Sequence, residues 1–373
     1  MTVSLGPGRL SGELAAMPSK SDLHRLMIAA WLAGEEIDRL PVISDDIAAT
    51  KECLQGACHC RESGSTLRFL LPVMAALGKT VTFTGEGRLP GRPMRPLVEL
   101  LRAHGCAVDA ERLPIAITGQ LRPGTFALPG NISSQYITGL LFALPLLSGE
   151  SEIALTSPLE SAGYVKMTLR TLEKYGIIIN ERPRGWQVPG NQRYLPPGDQ
   201  PLSPEADWSN AAFWLAANAL GSDIRVTGLD KASAQPDRAI ESLLEHPGFM
   251  DAAQCPDLVP VMAVVMALTQ RESRIANAAR LRLKESDRLR AMAENLCALG
   301  ADVTELPDGL AIRGGPVLRG GVADSFGDHR IAMAMAIAAL RCERGVTLHG
   351  AQAVRKSYPD FWDDYRRLGG QME

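Results

Sequence analysis

A mixed α/β fold in two lobes is predicted by a recurring pair of helices, a recurring glycine ending and a proline-rich stretch past mid-chain. The helix pair is the strongest of these. Six times a short polar stretch opens a strongly apolar helix, at 18–32, 63–77, 131–147, 208–220, 256–268 and 327–340. A β-like run follows each, and then an amphipathic helix, at 47–57, 94–104, 164–175, 238–246, 284–299 and 360–368. Apolar positions at helical spacing identify both kinds.

Three amphipathic helices end alike, with leucine one turn before glycine: Leu101 and Gly105, Leu172 and Gly176, Leu296 and Gly300. Glycine enters the left-handed conformation that closes a helix without a Cβ penalty. A β-like run follows each ending, at 106–109, 177–180 and 301–304. Self-similarity at so long a period implies one supersecondary unit used repeatedly.

Two units read as shortened. After Ala57 the chain reaches its next polar turn at Arg61, and after His246 it reaches Pro256, leaving no room for closing strands. The grouping gives one lobe over 20–206 and a second over 1–19 plus 207–373, with crossings near Ser19 and Ala206. Pro196-Pro197-Gly198 and the stretch from Pro201 to Pro204 precede the second crossing, as a linker would.

Composition narrows the function classes. A chain of 373 residues exceeds one ordinary core. Its 46 % hydrophobic and 22 % charged content is that of a folded protein. The net charge of −3 argues against a general nucleic-acid or membrane-surface binder. The start lacks a basic patch followed by a long apolar run, and the seven cysteines are an odd number. Reduced thiols in a cytoplasmic protein are the expectation. Apolar runs such as 258–268 fall short of the roughly twenty residues that span a bilayer. Cys58-His59-Cys60 invites a zinc reading, but structural zinc sites pair two knuckles and no second knuckle follows. Trp208 and Trp214 read as core and hinge packing.

The cations gather at helix starts, where unpaired N–H groups already attract anions. Lys20 and Arg25 open one helix, Arg68 another and Arg330 a third, while Arg88 and Arg92 precede a fourth. The run Arg282-Leu283-Lys284-Glu285-Ser286-Asp287-Arg288 packs three cations and two carboxylates around one start. Any single motif reads equally well as a solvated cap. Six together, with arginines suited to forked recognition, predict more than one anionic ligand. No Gly-x-x-x-x-Gly-Lys-Ser/Thr and no Gly-x-Gly-x-x-Gly after a strand supports a nucleotide site.

With these motifs in place the chain resembles the EPSP synthase (3-phosphoshikimate 1-carboxyvinyltransferase) family. The resemblance runs from Ser19-Lys20-Ser21 to Arg355-Lys356-Ser357-Tyr358-Pro359-Asp360. Its most specific parts are Leu283-Lys284-Glu285-Ser286-Asp287-Arg288, Gly327-Asp328-His329-Arg330-Ile331-Ala332-Met333 and Ser133-Ser134-Gln135. It implies a two-lobed enolpyruvyl transferase fold of six βαβαββ-type units. It further implies a monomeric enzyme that moves the enolpyruvyl group of phosphoenolpyruvate to the 5-hydroxyl of shikimate 3-phosphate between closing lobes, without metal or organic cofactor. Shikimate 3-phosphate would be held by Lys20, Ser21 and Arg25, by Ser133, Ser134, Gln135 and Ser161, and by Asp257, Arg280 and Lys284. Phosphoenolpyruvate would sit against Lys20, Gly64, Arg92, Gln135, Arg288, Arg330 and Lys356. Asp257 matches the proton acceptor, Glu285 the proton donor, and Lys20 the group at the leaving phosphate.

The chain is shorter than is usual in that family, at the two shortened units. Pro18, Glu62, Arg280 and Ala162-Gly163 also depart from its common residues. The sister family of UDP-N-acetylglucosamine enolpyruvyl transferases carries a reactive loop cysteine, and the corresponding loop at 85–93 has none. A catalytically inactive relative would have no use for Lys20, Asp257, Glu285, Arg330 and Lys356 together. His329, beside arginine at a helix start, reads as an orienting or capping group.

Overall fold

The computed structural model describes residues 1–198, 203–269 and 271–373, so Pro201 of the expected linker lies outside the described residues. The chain divides into two compact units, Lys20–Pro204 and a terminal unit made of Met1–Ser19 and Glu205–Glu373. The second boundary precedes the expected Ala206 for a backbone reason. Ser19 N donates to Glu205 O at 2.7 Å, Asp207 N donates to Met17 O at 2.8 Å, and Pro18 bridges Ala206 in antiparallel sense. These bonds tie residues 205–207 to the N-terminal segment.

In the Lys20–Pro204 unit the apolar helices form the interior. Gly64–Ala76 buries almost every residue, and Ser134–Ala143 buries all but Gln135. A helix apolar on all sides belongs inside a core. Their closest approach rests on Gly139, where a Cβ would lie 2.2 Å from Arg68 O. Arg95–Ala103 is amphipathic instead and turns only Leu97, Val98 and Leu101 inward. One sheet orders Val81–Phe83, Ile115–Gly119 and Cys106–Val108, all antiparallel. The other sets Thr125–Leu128 parallel to Ser151–Leu155, then adds Gly185–Val188 and Asn180–Arg182 in antiparallel sense.

The terminal unit repeats that second arrangement. Phe249–Asp251 runs parallel to Glu272–Ala276, and Gly309–Arg313 and Asp302–Leu306 follow in antiparallel sense. In both units the chain passes strand, helix, strand, helix and hairpin in that order. Val259–Ala267 and His329–Ala339 are buried along their whole length. Each large apolar side chain so buried contributes about 1.5–3 kcal/mol. Ser11–Ala15 pairs in parallel with Asp223–Thr227 alone, because the strand after His246 pairs forward into the four-stranded sheet. A third sheet orders Thr2–Leu5, Val346–His349 and Gly321–Asp324.

The glycine endings behave as expected, with φ of +96° at Gly105, +74° at Gly176 and +99° at Gly300. Several helices are shorter than their periodicity suggested. The span 131–147 is helical only over Ser134–Ala143, because Pro145 lacks the N–H to continue and the chain tightens to a 3₁₀ turn. The span 284–299 is helical from Arg288, where the Asp287 carboxylate accepts from Arg290 N and caps the helix. The run at 177–180 forms a strand only from Asn180. Trp208 and Trp214 are both buried, and Trp214 stacks on Phe361 with centroids 5.0 Å apart. No helix among the described residues is long and apolar enough to cross a membrane.

Candidate active site

Two polar clusters stand out, one in each unit. In the Lys20–Pro204 unit, Lys20 opens the helix Lys20–Leu32, and its Nζ lies 2.7 Å from Asp46 Oδ2. Asp46 sits in the first turn of Asp45–Leu54, which Ser44 caps by accepting from Ile47 N. Arg25 is buried one turn on from Ser21. Its Nε donates to Thr168 Oγ1 at 2.9 Å, its Nη2 to Tyr164 O at 2.9 Å and its Nη1 to Ser21 O. Burial pulls its pKa down to about 10, opposed by Asp22 and Tyr164, so it stays charged at neutral pH.

His24 is enclosed beneath these cations. Its Nδ1 lies 2.8 Å from Thr50 Oγ1, Thr50 Oγ1 lies 2.6 Å from Thr66 Oγ1, and Thr66 donates to Ser63 Oγ at 2.7 Å. Burial first, then Lys20 and Arg25, hold the imidazole well below its ordinary pKa, so it is neutral. This chain of hydroxyls joins three helices, Lys20–Leu32, Asp45–Leu54 and Gly64–Ala76.

Ser133 caps Ser134–Ala143, and Gln135 bridges two helices, accepting from Arg68 Nη1 at 2.7 Å and donating to Ser65 Oγ at 2.9 Å. Arg68 Nη2 donates to Pro93 O at 3.0 Å, which fixes the segment that carries Arg92. Arg92 is 6 % exposed and lies against Gly64, where a Cβ would fall 2.7 Å from its Nη1. Ser161, buried at the N-cap of Ala162–Lys174, takes φ +56° and ψ +40°. That region is costly for a residue with a Cβ.

In the terminal unit Arg288 is the hub. It is 1 % exposed, yet it gathers three carboxylates: Nη1 to Asp257 Oδ1 at 2.8 Å, Nη2 to Glu285 Oε2 at 2.9 Å and Nε to Asp328 Oδ2 at 2.8 Å. Burial opposes its charge, but Asp328, Glu285 and Asp257 outweigh burial and hold its pKa above the ordinary value. Arg330 Nη2 reaches the other Asp257 oxygen at 3.0 Å, and Lys284 Nζ lies 3.8 Å from Oδ1. Burial alone would raise Asp257, but Arg330, Lys284 and Arg288 keep it well below the usual carboxylate range. Burial likewise pushes Lys284 down to about 8, with Asp257 opposing.

Asp328 does double service: it caps His329–Ala339 by accepting from Arg330 N at 2.9 Å and anchors Arg288. Ser286 Oγ donates to the same carboxylate at 3.1 Å. Lys356 Nζ donates to Gly327 O at 2.8 Å, one residue before that cap. His329 is buried beside it.

The residues singled out in the sequence therefore fall into two sets. Asp257, Lys284, Glu285, Arg288 and Arg330 form one connected network, with Lys356 at its edge. Arg280 turns its Nη2 to Ala253 O instead. Lys20, Ser21, Arg25, Gly64, Arg92, Ser133, Ser134, Gln135 and Ser161 all belong to the other unit. Sequence reasoning gave no role to Asp46, to Asp328, or to Ser209, whose Oγ accepts from Arg330 Nη2 at 3.0 Å. Each stands in the opening of a helix, and Asp328 and Ser209 directly adjoin residues named in the sequence, His329 and Trp208. Among the described residues no group of three His, Cys, Asp or Glu side chains is arranged to hold a metal ion, and all seven cysteines are free thiols.

The family profile described as EPSP synthase (3-phosphoshikimate 1-carboxyvinyltransferase) matches residues 56–251 and 241–365. The 3-phosphoshikimate 1-carboxyvinyltransferase of Clostridium kluyveri is 40 % identical over 420 positions, covering 100 % of this chain and 98 % of the relative. That of Clostridium acetobutylicum is 42 % identical over 422 positions, covering 99 % and 98 %. Both alignments run longer than the 373-residue chain, so the relatives carry segments that this chain lacks. Among solved structures, EPSP synthase from Acinetobacter baumannii superposes with a TM-score of 0.80 at 22 % identity, covering 100 % of this chain and 99 % of that one. The enolpyruvyl transferase NikO from Streptomyces tendae gives 0.77 at 19 % identity, covering 100 % and 98 %. These two likenesses speak for the fold alone. On the profile and the full-length identity, the chain belongs to the EPSP synthase (3-phosphoshikimate 1-carboxyvinyltransferase) family.

Proposed function

We propose that the chain transfers the enolpyruvyl group of phosphoenolpyruvate to the 5-hydroxyl of shikimate 3-phosphate and releases phosphate. The observation that carries this reading is the Arg288 hub, which holds a candidate base and a candidate acid, Asp257 and Glu285, on one buried guanidinium. Lys284 and Arg330 stand beside them as anion ligands. Full-length relatives of the same printed name support it.

The reaction begins when the 5-hydroxyl oxygen attacks C2 of phosphoenolpyruvate. Its proton passes to Asp257, while Glu285 gives a proton to C3. In the second step Glu285 removes a proton from the new methyl group, and the C2–O bond to phosphate breaks with Lys20 Nζ stabilising the departing oxygen. Positioned proton transfers of this kind contribute roughly 10²–10⁴-fold each. In the substrate-free protein Asp257 is a weak base, because both its oxygens face guanidinium groups. The negative charges of the substrates, set against Arg330 and Lys284, offset those cations and raise its proton affinity. The base therefore strengthens when its substrates are present.

The cluster of the Lys20–Pro204 unit supplies the remaining anion ligands: Lys20, Ser21, Arg25, Ser133, Ser134, Gln135 and Ser161 for shikimate 3-phosphate, and Gly64 and Arg92 for phosphoenolpyruvate. Lys356 completes the phosphoenolpyruvate set, while Arg280, whose Nη2 donates to Ala253 O, is assigned to neither ligand. Six related βαβαββ-type units, two of them lacking the closing hairpin, account for the architecture. The matching order of the two four-stranded sheets and the two-stranded sheet at Ser11–Ala15 support that reading.

Phosphate release tests the function. The chain is mixed with phosphoenolpyruvate and either shikimate 3-phosphate or UDP-N-acetylglucosamine. Release with the first alone is expected. Release with the second alone, or tight binding without release, would overturn the assignment.

A further inference from the structure

Arg330 is held from two sides. Asp257 takes one of its N–H groups, and Ser209 takes the same terminal nitrogen at 3.0 Å through Oγ, with the Ser209 carbonyl 3.4 Å from Nη1. Ser209 is 7 % exposed and stands in the first turn of Trp208–Ala219. A serine hydroxyl rotates freely unless something fixes its hydrogen. Here Ser209 Oγ donates to Asp207 Oδ1 at 2.6 Å, so its lone pairs are turned toward the guanidinium.

Asp207 is itself fixed. The same carboxylate oxygen accepts from Asn210 N at 2.9 Å, and Asp207 N donates to Met17 O at 2.8 Å. Gln235 clamps the residues on either side, donating to Ala206 O at 2.7 Å and accepting from Trp208 N at 3.0 Å. This is the stretch in which the chain re-enters the terminal unit beside its own N-terminal segment. An unbroken line of hydrogen bonds thus runs from the paired backbone at Met17 through Asp207 and Ser209 to Arg330.

We propose that Ser209 is a positioning residue for Arg330: its oriented hydroxyl holds the guanidinium against the pull of Asp257, so that the fork faces phosphoenolpyruvate. This rests on the assignment of Arg330 to phosphoenolpyruvate above. Without the hydroxyl, the pull of Asp257 on Nη2 is no longer opposed at that nitrogen, the Ser209 carbonyl reaching only Nη1 at 3.4 Å, and the fork is drawn toward the carboxylate. Anion binding then weakens, and because saturating phosphoenolpyruvate draws the fork back off Asp257, affinity suffers more than turnover.

The test compares Ser209→Ala with Ser209→Thr in the full chain. A hydrogen bond to a charged group is worth about a tenfold change in binding. Ser209→Ala is therefore expected to raise the KM for phosphoenolpyruvate about tenfold while kcat falls less than about threefold and the KM for shikimate 3-phosphate moves less than about twofold. Ser209→Thr, which keeps the hydroxyl, is expected to restore the KM to within about threefold. Calorimetric titration of phosphoenolpyruvate into the same proteins gives a readout independent of turnover. If the unchanged chain releases no phosphate, the functional assignment fails, and the calorimetric ratio still decides the role of Ser209. A phosphoenolpyruvate affinity within twofold of the unchanged chain in Ser209→Ala, or a threonine variant as impaired as alanine, overturns the proposal. Should Ser209→Ala not fold, Ser209→Cys, a poor acceptor of similar shape, takes its place with the same expected direction.

Discussion

Arg288 Nη1 lies 2.8 Å from Asp257 Oδ1, and the same guanidinium reaches Glu285 at 2.9 Å, so the candidate base and the candidate acid share one cation. Two carboxylates this close to one another would repel if that cation were missing. Arg288→Met is expected to leave Asp328, Glu285 and Asp257 with excess negative charge in a buried setting. Stripping one partner from such a network costs about 3–5 kcal/mol. Urea denaturation should read that loss, and phosphate release should fall by more than about a hundredfold. Arg288→Lys is expected to recover little of either, because an ammonium cannot serve three carboxylates in fixed directions. A lysine variant with more than half the normal stability and turnover would remove the hub from the argument.

Lys284 makes a prediction in pH. Its pKa is pushed down to about 8 by burial, below the ordinary 10.5. The unfolded chain thus holds this proton more tightly than the folded one. The cost of burying the charge is present below about pH 8 and is relieved as pH rises from 8 toward 10.5. Function runs the other way, since neutral Lys284 no longer attracts an anion. The kcat/KM for shikimate 3-phosphate is expected to fall above about pH 8, as this ratio reports free-enzyme groups. Lys284→Arg should move that limb beyond about pH 10, because guanidinium keeps its proton. A flat profile to pH 9.5 in the unchanged chain would detach Lys284 from the substrate.

Much of the fold was legible because it depends on local pattern. Apolar helices buried on all sides and leucine–glycine endings with positive φ follow from short windows of sequence. Helix ends were read less well. Pro145 and Asp287 set them through backbone donors and a capping carboxylate, and the apolar spacing does not register those. The cations of the site were visible because they cluster at helix starts. Their partners were not, since the sequence holds nothing to say that Asp46 faces Lys20, that Asp328 serves Arg288 as well as its own helix, or that Ser209 faces Arg330 across 121 positions. Such pairings are set by tertiary packing. Arg280 is the opposite case, a conspicuous cation whose Nη2 is satisfied by the Ala253 carbonyl.

Lys20 and Asp46 form a second pair at 2.7 Å, with side chains 14 % and 12 % exposed. Lys20→Ala and Glu285→Ala are each expected to cut turnover by more than about a hundredfold, the scale of an acid–base group. Asp46→Asn should act through Lys20 by loosening its hold, with a loss nearer tenfold. Steady-state phosphate release checks all three. Losses under fivefold for both Lys20→Ala and Glu285→Ala would remove them from the mechanism.

Gly64 offers the sharpest steric prediction. A Cβ built there falls 2.7 Å from Arg92 Nη1 and 2.8 Å from its Cζ, closer than any real contact, while no backbone atom is among the nearest neighbours. The atoms that must yield are the far end of a flexible side chain, so the fold has little reason to suffer. Gly64→Ala is expected to change stability by less than about 1 kcal/mol, the range of a substitution that creates no cavity and buries no unpaired group. Arg92 itself must shift, and with it the guanidinium assigned to phosphoenolpyruvate. A displaced charged hydrogen bond weakens binding by about tenfold or more. The KM for phosphoenolpyruvate should therefore rise by about that factor, while the KM for shikimate 3-phosphate stays within about twofold. Combining Gly64→Ala with Arg92→Ala separates the causes. If crowding of Arg92 is the whole effect, the double variant is no worse for phosphoenolpyruvate than Arg92→Ala alone, and if the losses add, Gly64 acts on the ligand by a separate route.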